Sequence, residues 1–390
     1  MITKVAYTAK DRNNQTITSF IDAKTNEEAI AKLENLDFTN IELLGDALYS
    51  NFNNNNKSLN SKTLKKIASF DKKREQGVSI LNTFLQFLYN DKIIVILSLI
   101  IIISGIINNY NNWAIGIGST LLIGTIFIWI YTYKAMYYFE EIHRAKAFGK
   151  KEELLKLIEK MKIKAQTGVG NKEQIYFELD KIYAGILACE GEKDKAFSII
   201  EEHKAYINKI LPGMYANSIA GIYSNLGNYD KHLEYMEKMY DINPNSNYAF
   251  DLAFSHIRYG NLNYAKELIH NEVNPKAIPS YASAVYDWSL ALIAQKENQL
   301  DEAKKHYEVM LKKFTLQMKN PILWEMIALG IGNYANLLYD LEKINEAKEI
   351  LTPAIIEILN IHADNNLREE LSFKYPNLIS KNSYCKNSYS

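Results

Sequence analysis

Histidine and cysteine are the side chains best suited to metal or nucleophilic chemistry, and their spacing in this chain argues against both. His143, His203, His232, His256, His270, His306 and His362 are scattered. No His-Glu-x-x-His occurs, and no Cys/His set has zinc spacing. Glu140 and His143 make one Glu-x-x-His step, half of a paired di-iron pattern. Without a second copy they read as the surface of a charged helix. TGVGNKEQ at 167–174 has glycines and a lysine but no Walker spacing. It reads as a loop, with Asn171 and Gln174 capping the next helix. No Gly-x-Ser-x-Gly and no kinase motif set is present. Cys189 and Cys385 are too few for a disulfide scaffold or a cysteine-built zinc site, and read as free thiols in a reducing compartment. No catalytic residue, cofactor or metal is therefore expected, and the chain reads as a non-enzyme. An enzyme whose site is assembled without a motif stays as a rival class.

The elements around these residues are more telling. Residues 93–133 contain no charged side chain, which is 41 residues between Lys92 and Lys134. One spanning helix needs about 20. NNYNN at 108–112 divides the stretch. Ile93–Ile107 reaches only roughly 22 Å as a helix, short of a hydrocarbon core of about 30 Å. Trp113–Tyr133 is long enough, and Trp113, Trp129, Tyr131 and Tyr133 lie near its ends as interfacial aromatics. The reading is a two-helix transmembrane hairpin, with a buried soluble hairpin as the alternative. Its start at residue 93 is too far along for a cleaved signal peptide.

Charge is distributed unevenly along the 390 residues. The total is zero, from 45 basic and 45 acidic side chains. Residues 1–56 carry −3, residues 57–170 carry +9, residues 171–376 carry −8 and residues 377–390 carry +2. The cancellation disfavours a nucleic-acid partner. The basic excess flanks the apolar stretch on both sides, which predicts both termini in the cytoplasm. With no charge inside the spans, the hairpin reads as an anchor rather than an ion pathway.

The expected organisation is mainly α, in seven segments. Residues 1–47 form a small ββαβ module, in which Thr25 and Glu28 make a capping box. An Asn-rich linker follows at 48–61, then a basic amphipathic juxtamembrane segment at 62–92, suited to lying on anionic headgroups. The hairpin spans 93–133, a charged connecting helix 134–170, helical repeats 171–376, and a tail 377–390. In the N-terminal module Tyr7, Ala9, Ala23, Glu27, Glu28, Ala29 and Leu33 fall where the short ββαβ module of type II secretion and type IV pilus inner-membrane platform proteins places such residues. The module resembles that family over about 45 residues, and the platform domain that should follow is absent. The resemblance implies a bacterial inner-membrane setting and an accessory or assembly role in such a machine.

The repeats rest on alanines. Ala184, Ala220, Ala253, Ala291 and Ala335 each stand twelve residues before Ala196, His232, Ala265, Ala303 and Ala347. A small residue at that offset lets two antiparallel helices approach, and a Gly or Asn between them reverses the chain. Pro212, Pro244 and Pro275 end second helices, and Pro353 predicts a kink or restart within the last one. The unit 213–246, with Ala220, Tyr223, Gly227, Tyr229 and Pro244, resembles the tetratricopeptide repeat, although His232 stands where alanine is usual. Another helix-pair solenoid is the alternative. Such arrays bind through a concave face lined by first helices. Counting from the alanines, that face comprises Lys181, Asn217, Ser224, Phe250, Phe254, Trp288, Gln295, Asn336 and Tyr339. The expected function is a membrane-anchored scaffold that binds a protein or peptide, with no small-molecule substrate. The acidic balance of the repeats mildly favours a basic partner.

Overall fold

The chain forms two compact units, residues 1–62 and 63–390. The computed structural model describes residues 3–10, 16–23, 25–35, 38–44, 61–76, 81, 84–85, 92–107, 112–167, 171–276, 278–279 and 282–380. Most of the Asn-rich linker, the loop 108–111, the glycine loop 168–170 and the tail from 381 lie outside them.

In the first unit, runs rich in β-branched residues form β1 (Thr3–Lys10) and β2 (Thr16–Ala23). They pair antiparallel from Thr3↔Ala23 to Lys10↔Thr16. Helix α1 (Asn26–Glu34) follows, capped by Thr25, whose side chain accepts from the Glu28 N–H at 3.2 Å. Strand β3 (Thr39–Leu44) returns along the other edge of β1, antiparallel, with a register shift between Thr8 and Lys10. The sheet order is therefore β2-β1-β3. Ala29 and Leu33, one turn apart on α1, are fully buried.

The second unit is helical. It opens with α2 (Ser61–Gln76), α3 (Lys92–Ile107) and α4 (Asn112–Ala147). Helices α3 and α4 pack through two glycines. A Cβ on Gly118 would lie 2.6 Å from Ile102 Cγ1 and 2.8 Å from the Ser98 carbonyl, and one on Gly105 would lie 2.8 Å from Ile115 Cγ1. Only glycine permits that crossing. The apolar face of α2 does not lie open for a lipid surface. Ile67 and Phe70 are fully buried, and the Phe70 ring meets Trp324 edge-on at 5.0 Å.

Helix pairs then follow in order: α5 (Lys151–Thr167), α6 (Lys172–Cys189) with α7 (Lys193–Ile210), α8 (Met214–Asn225) with α9 (Tyr229–Ile242), and α10 (Ser246–Tyr259) with α11 (Leu262–Asn271). The fourth pair is α12 (Ser283–Lys296) with α13 (Leu300–Gln317). The fifth is α14 (Trp324–Asp340), entered through a single 3-10 turn at Pro321–Leu323, with α15 (Ile344–Ile350) and α16 (Pro353–His362). The helix restarts at Pro353, and α17 (Asn365–Lys374) closes the array. Ala184, Ala220, Ala253, Ala291, Ala335, Ala196, Ala265, Ala303 and Ala347 are all wholly buried, as a close crossing demands.

Four of the five repeat turns share one construction, and the α10–α11 turn at Gly260, with φ of −136°, differs. Gly191, Gly227, Asn298 and Glu342 have φ of 82°, 72°, 60° and 59°, each seven residues beyond its alanine. The N–H of the next residue closes back on the helix in every case: Glu192 to Leu187, Asn228 to Tyr223, Gln299 to Ala294 and Lys343 to Leu338. This is the left-handed helix ending that favours glycine.

The same construction recurs one pair earlier. Gly149 has φ of 61°, and the Lys150 N–H reaches the Ala145 carbonyl at 2.9 Å. Ile142 and Leu154 occupy the two alanine positions and are buried with Ala145, Leu157, Ile158 and Met161 against Leu179 and Ile182. The segment 134–170 is therefore a helix pair in register with the array rather than one charged connecting helix. Its first helix, α4, runs without a break from the apolar stretch.

Candidate functional site

The array winds far enough for its end to meet its beginning. Lys146, at the end of α4, pairs with both carboxylate oxygens of Glu325 on α14, at 2.8 and 2.9 Å. The His362 Nε2–H, at the end of α16, donates to the Lys146 and Ala147 carbonyls at 3.2 and 3.1 Å. Burial pushes the Glu325 carboxyl up, but the charges of His362 and Lys146 outweigh it and hold it near 2. His362 is itself lowered by burial, so at neutral pH Lys146 supplies most of that field. His143 is drawn down to about 4, first by burial and then by Lys146.

Among the described residues, two cavities lie beside these contacts. The larger, about 460 Å3, lies at the seam, with Lys146, Glu325 and His362 on one wall and Gly185, Cys189 and Asn225 on the other. The smaller, about 210 Å3, is bounded by Arg258, Leu292, Gln295, Lys296, Asn333 and Asn336 from the repeats, and by Asp364, Leu367 and Glu370 from the C-terminal helices. Asp364 is held in the wall of the smaller one. Its Oδ2 pairs with Arg258 Nη2 at 2.5 Å and accepts from the Tyr259 hydroxyl at 3.3 Å.

The residues expected on the concave face are distributed unequally over this surface. Lys181, Asn217 and Ser224 are half-buried on α6 and α8, and Lys181 pairs with Glu178 at 2.7 Å. Phe250 is almost fully buried and Trp288 completely so. These two pack the core between repeats, because an aromatic ring facing the next first helix is covered by it. Phe254 is half-buried, with its ring 4.9 Å from Trp288 and 5.7 Å from the Arg258 guanidinium. Gln295 accepts from the Tyr307 hydroxyl at 3.0 Å. Asn336 is buried and donates to Glu370, and Tyr339 meets Tyr375 edge-on at 5.6 Å. Of the nine residues expected on the face, Phe250, Trp288 and Asn336 are buried and the other six are half-buried.

Sequence reasoning missed Lys146, Arg258, Glu325, His362 and Asp364. Each comes from a helix end, and only the closure of the array brings them together. Gly149, seven residues after Ile142, was the one signal that the array starts before residue 171.

His232 is explained by its surroundings. Its Nδ1–H donates to the Ala220 carbonyl at 3.0 Å, and Nε2 faces the Ser255 hydroxyl at 3.1 Å. Burial lowers its pKa, so the ring is neutral. Cys189 is not a free thiol, because the structure holds it in a disulfide. Cys385 lies outside the described residues. Among the described residues, no group of three His, Cys, Asp or Glu side chains is placed to hold a metal ion.

Residues 215–246 match the tetratricopeptide repeat family, over the α8–α9 pair where the alanine spacing is clearest. No curated protein matches the chain. The resemblance of residues 1–47 to secretion and pilus platform proteins gains no support from these comparisons.

Proposed function

We propose that the protein is a membrane-anchored scaffold whose tetratricopeptide-like array binds another protein from its cytoplasmic side. The array is the binding element, and α3 and α4 are a two-helix anchor. No catalytic step belongs to this reading.

The observation that carries it is the continuity of α4. One unbroken helix joins an apolar stretch to the first pair of a protein-binding array. Large apolar side chains point outward all along that stretch, including Ile107 at 73%, Trp113 at 83% and Phe127 at 71% exposure. Residues 112–130 have a mean hydropathy of 1.9 and are long enough to cross a bilayer by themselves. Water would penalise such a surface by roughly 25 cal/mol per Å2. Lipid removes that penalty. Close packing through Gly105 and Gly118 matches how helices associate in lipid, where small residues let backbones approach. Helix α3, at 16 residues, is short for a full crossing, so the bilayer would thin around it.

The reading is tested in membranes. The protein should resist extraction by carbonate and dissolve in detergent, and reporter fusions at residues 45 and 385 should both report cytoplasm. A photo-crosslinking side chain at Asn217, half-buried on the expected face, should capture a protein. The same group at Lys209, exposed on α7, should not. Extraction by carbonate, or equal capture at the two positions, would reject the anchored scaffold.

A further inference from the structure

The concave face is not empty: α17 lies on it, and we infer that α17 is a displaceable occupant standing in for a partner helix that carries carboxylates. This rests on the scaffold reading above and names the chemistry of its partner.

Helix α17 is amphipathic. Leu367, Leu371 and Tyr375 recur every four residues and are buried, while Phe373 on the opposite side is 80% exposed. Its polar contacts run to first helices of the array and, through the buried Arg368, to the Asn360 and Ala363 carbonyls at the end of α16. At its start Asp364 pairs with Arg258 on α10, two helix pairs away from α14. In its middle Glu370 accepts from Asn336. At its end Lys374 pairs with Asp340, and the Tyr375 hydroxyl donates to the Ala335 carbonyl at 2.9 Å. A helix that merely covered the last pair would have no need of Arg258.

The charge on the face beneath is complementary to this occupant. Arg258 and Lys296 both border the smaller cavity, and the carboxylates facing them there are Asp364 and Glu370. Lys296 is exposed and makes no ion pair within 4 Å among the described residues. Without α17 the face would present two cations beside the amides of Gln295, Asn333 and Asn336, with Leu292 as an apolar floor. An amphipathic helix bearing carboxylates fits it. This differs from the preference for a basic partner read from the net charge of the repeats, because at this cavity the repeats contribute Arg258 and Lys296 and no carboxylate.

A partner must then compete with α17, and the apparent affinity falls by the fraction of molecules in which the face is open. The test uses the whole protein in detergent. Asp364→Asn with Glu370→Gln removes both carboxylates yet leaves an asparagine able to cap α17. The probe is a fluorescein-labelled peptide of residues 363–376. Amide exchange over 365–374 should rise in the variant while α8–α13 stay protected. The peptide should bind the variant roughly tenfold or more tighter than the natural protein. A peptide with its Asp and Glu residues amidated should lose that affinity. Excess unmodified peptide should also speed exchange of α17 in the natural protein. Unchanged exchange in the variant, or equal affinity for both proteins, would overturn the inference. A partner crosslinked at Asn217 alongside unchanged exchange would leave the scaffold standing and reject this inference alone.

Discussion

Asp71 Oδ1 accepts a hydrogen bond from the Ala354 backbone N–H at 2.8 Å, across 283 residues of chain. Helix α16 needs this bond. Pro353 at its start has no N–H to give, and its own cap residue, Thr352, makes no side-chain capping bond. A carboxylate from α2 therefore caps a helix at the far end of the array. The same helix α2 brings Phe70 onto Trp324. The segment before the apolar stretch is thus part of the array's end.

Asp71→Ala should lower stability by about 1 kcal/mol, the usual cost of losing a cap. Asp71→Asn should retain most of it. Thermal melts in detergent compare the two. Equal losses would mean that the bond contributes little.

Gly332 faces α16 and α17. A Cβ there would lie 2.7 Å from Leu359 Cδ2 and 3.3 Å from Leu371 Cδ1. Gly332→Ala should cost roughly 1–3 kcal/mol through overpacking. Gly221, with nothing within 4 Å, is the control. Gly221→Ala should be neutral or stabilising by a few tenths of a kcal/mol, as expected in a helix interior. Equal effects at the two sites would refute the close approach.

Glu342 occupies the left-handed turn position that Gly191 and Gly227 fill in other pairs. A side chain there costs roughly 1–2 kcal/mol, and part of the gain from removing it is returned as unfolded-chain entropy. Glu342→Gly should therefore stabilise by about 0.5–1 kcal/mol. A lower melting temperature for this variant would count against the turn geometry.

Stability should fall as pH drops from 7 to 4. His143, His232 and His362 are all lowered by burial, His143 to about 4. Below the ordinary histidine value of about 6.5, the unfolded chain takes up protons that the folded chain refuses. Each fully shifted histidine then costs up to about 1.4 kcal/mol per pH unit, until its folded pKa is reached. Glu325, held near 2, adds a further loss below the ordinary carboxylate range. Denaturant midpoints measured from pH 7.5 to 4.5 should decline, and less so in His143→Gln. Asp251, raised to about 6 by burial, works in the opposite direction over the same range, so the deciding comparison is with the variant. Identical profiles for His143→Gln and the natural protein would exclude a neutral buried His143.

The sequence alone determined what repeats along the chain. The alanine offset, the turn glycines and the prolines are local features that each helix pair must satisfy by itself, so they are readable one pair at a time. The uncharged stretch at 93–133 is legible for the same reason, since the absence of charge is a property of composition. The closing of the array is not local. Lys146–Glu325, Arg258–Asp364 and Asp71–Ala354 join positions 179, 106 and 283 residues apart. Those distances depend on small rotations added at every pair, which no spacing in the sequence encodes. Only the tertiary structure therefore decided that Trp288 is core, that α17 covers Asn336, and that Arg258 and Lys296 come to face Asp364 and Glu370 across one cavity.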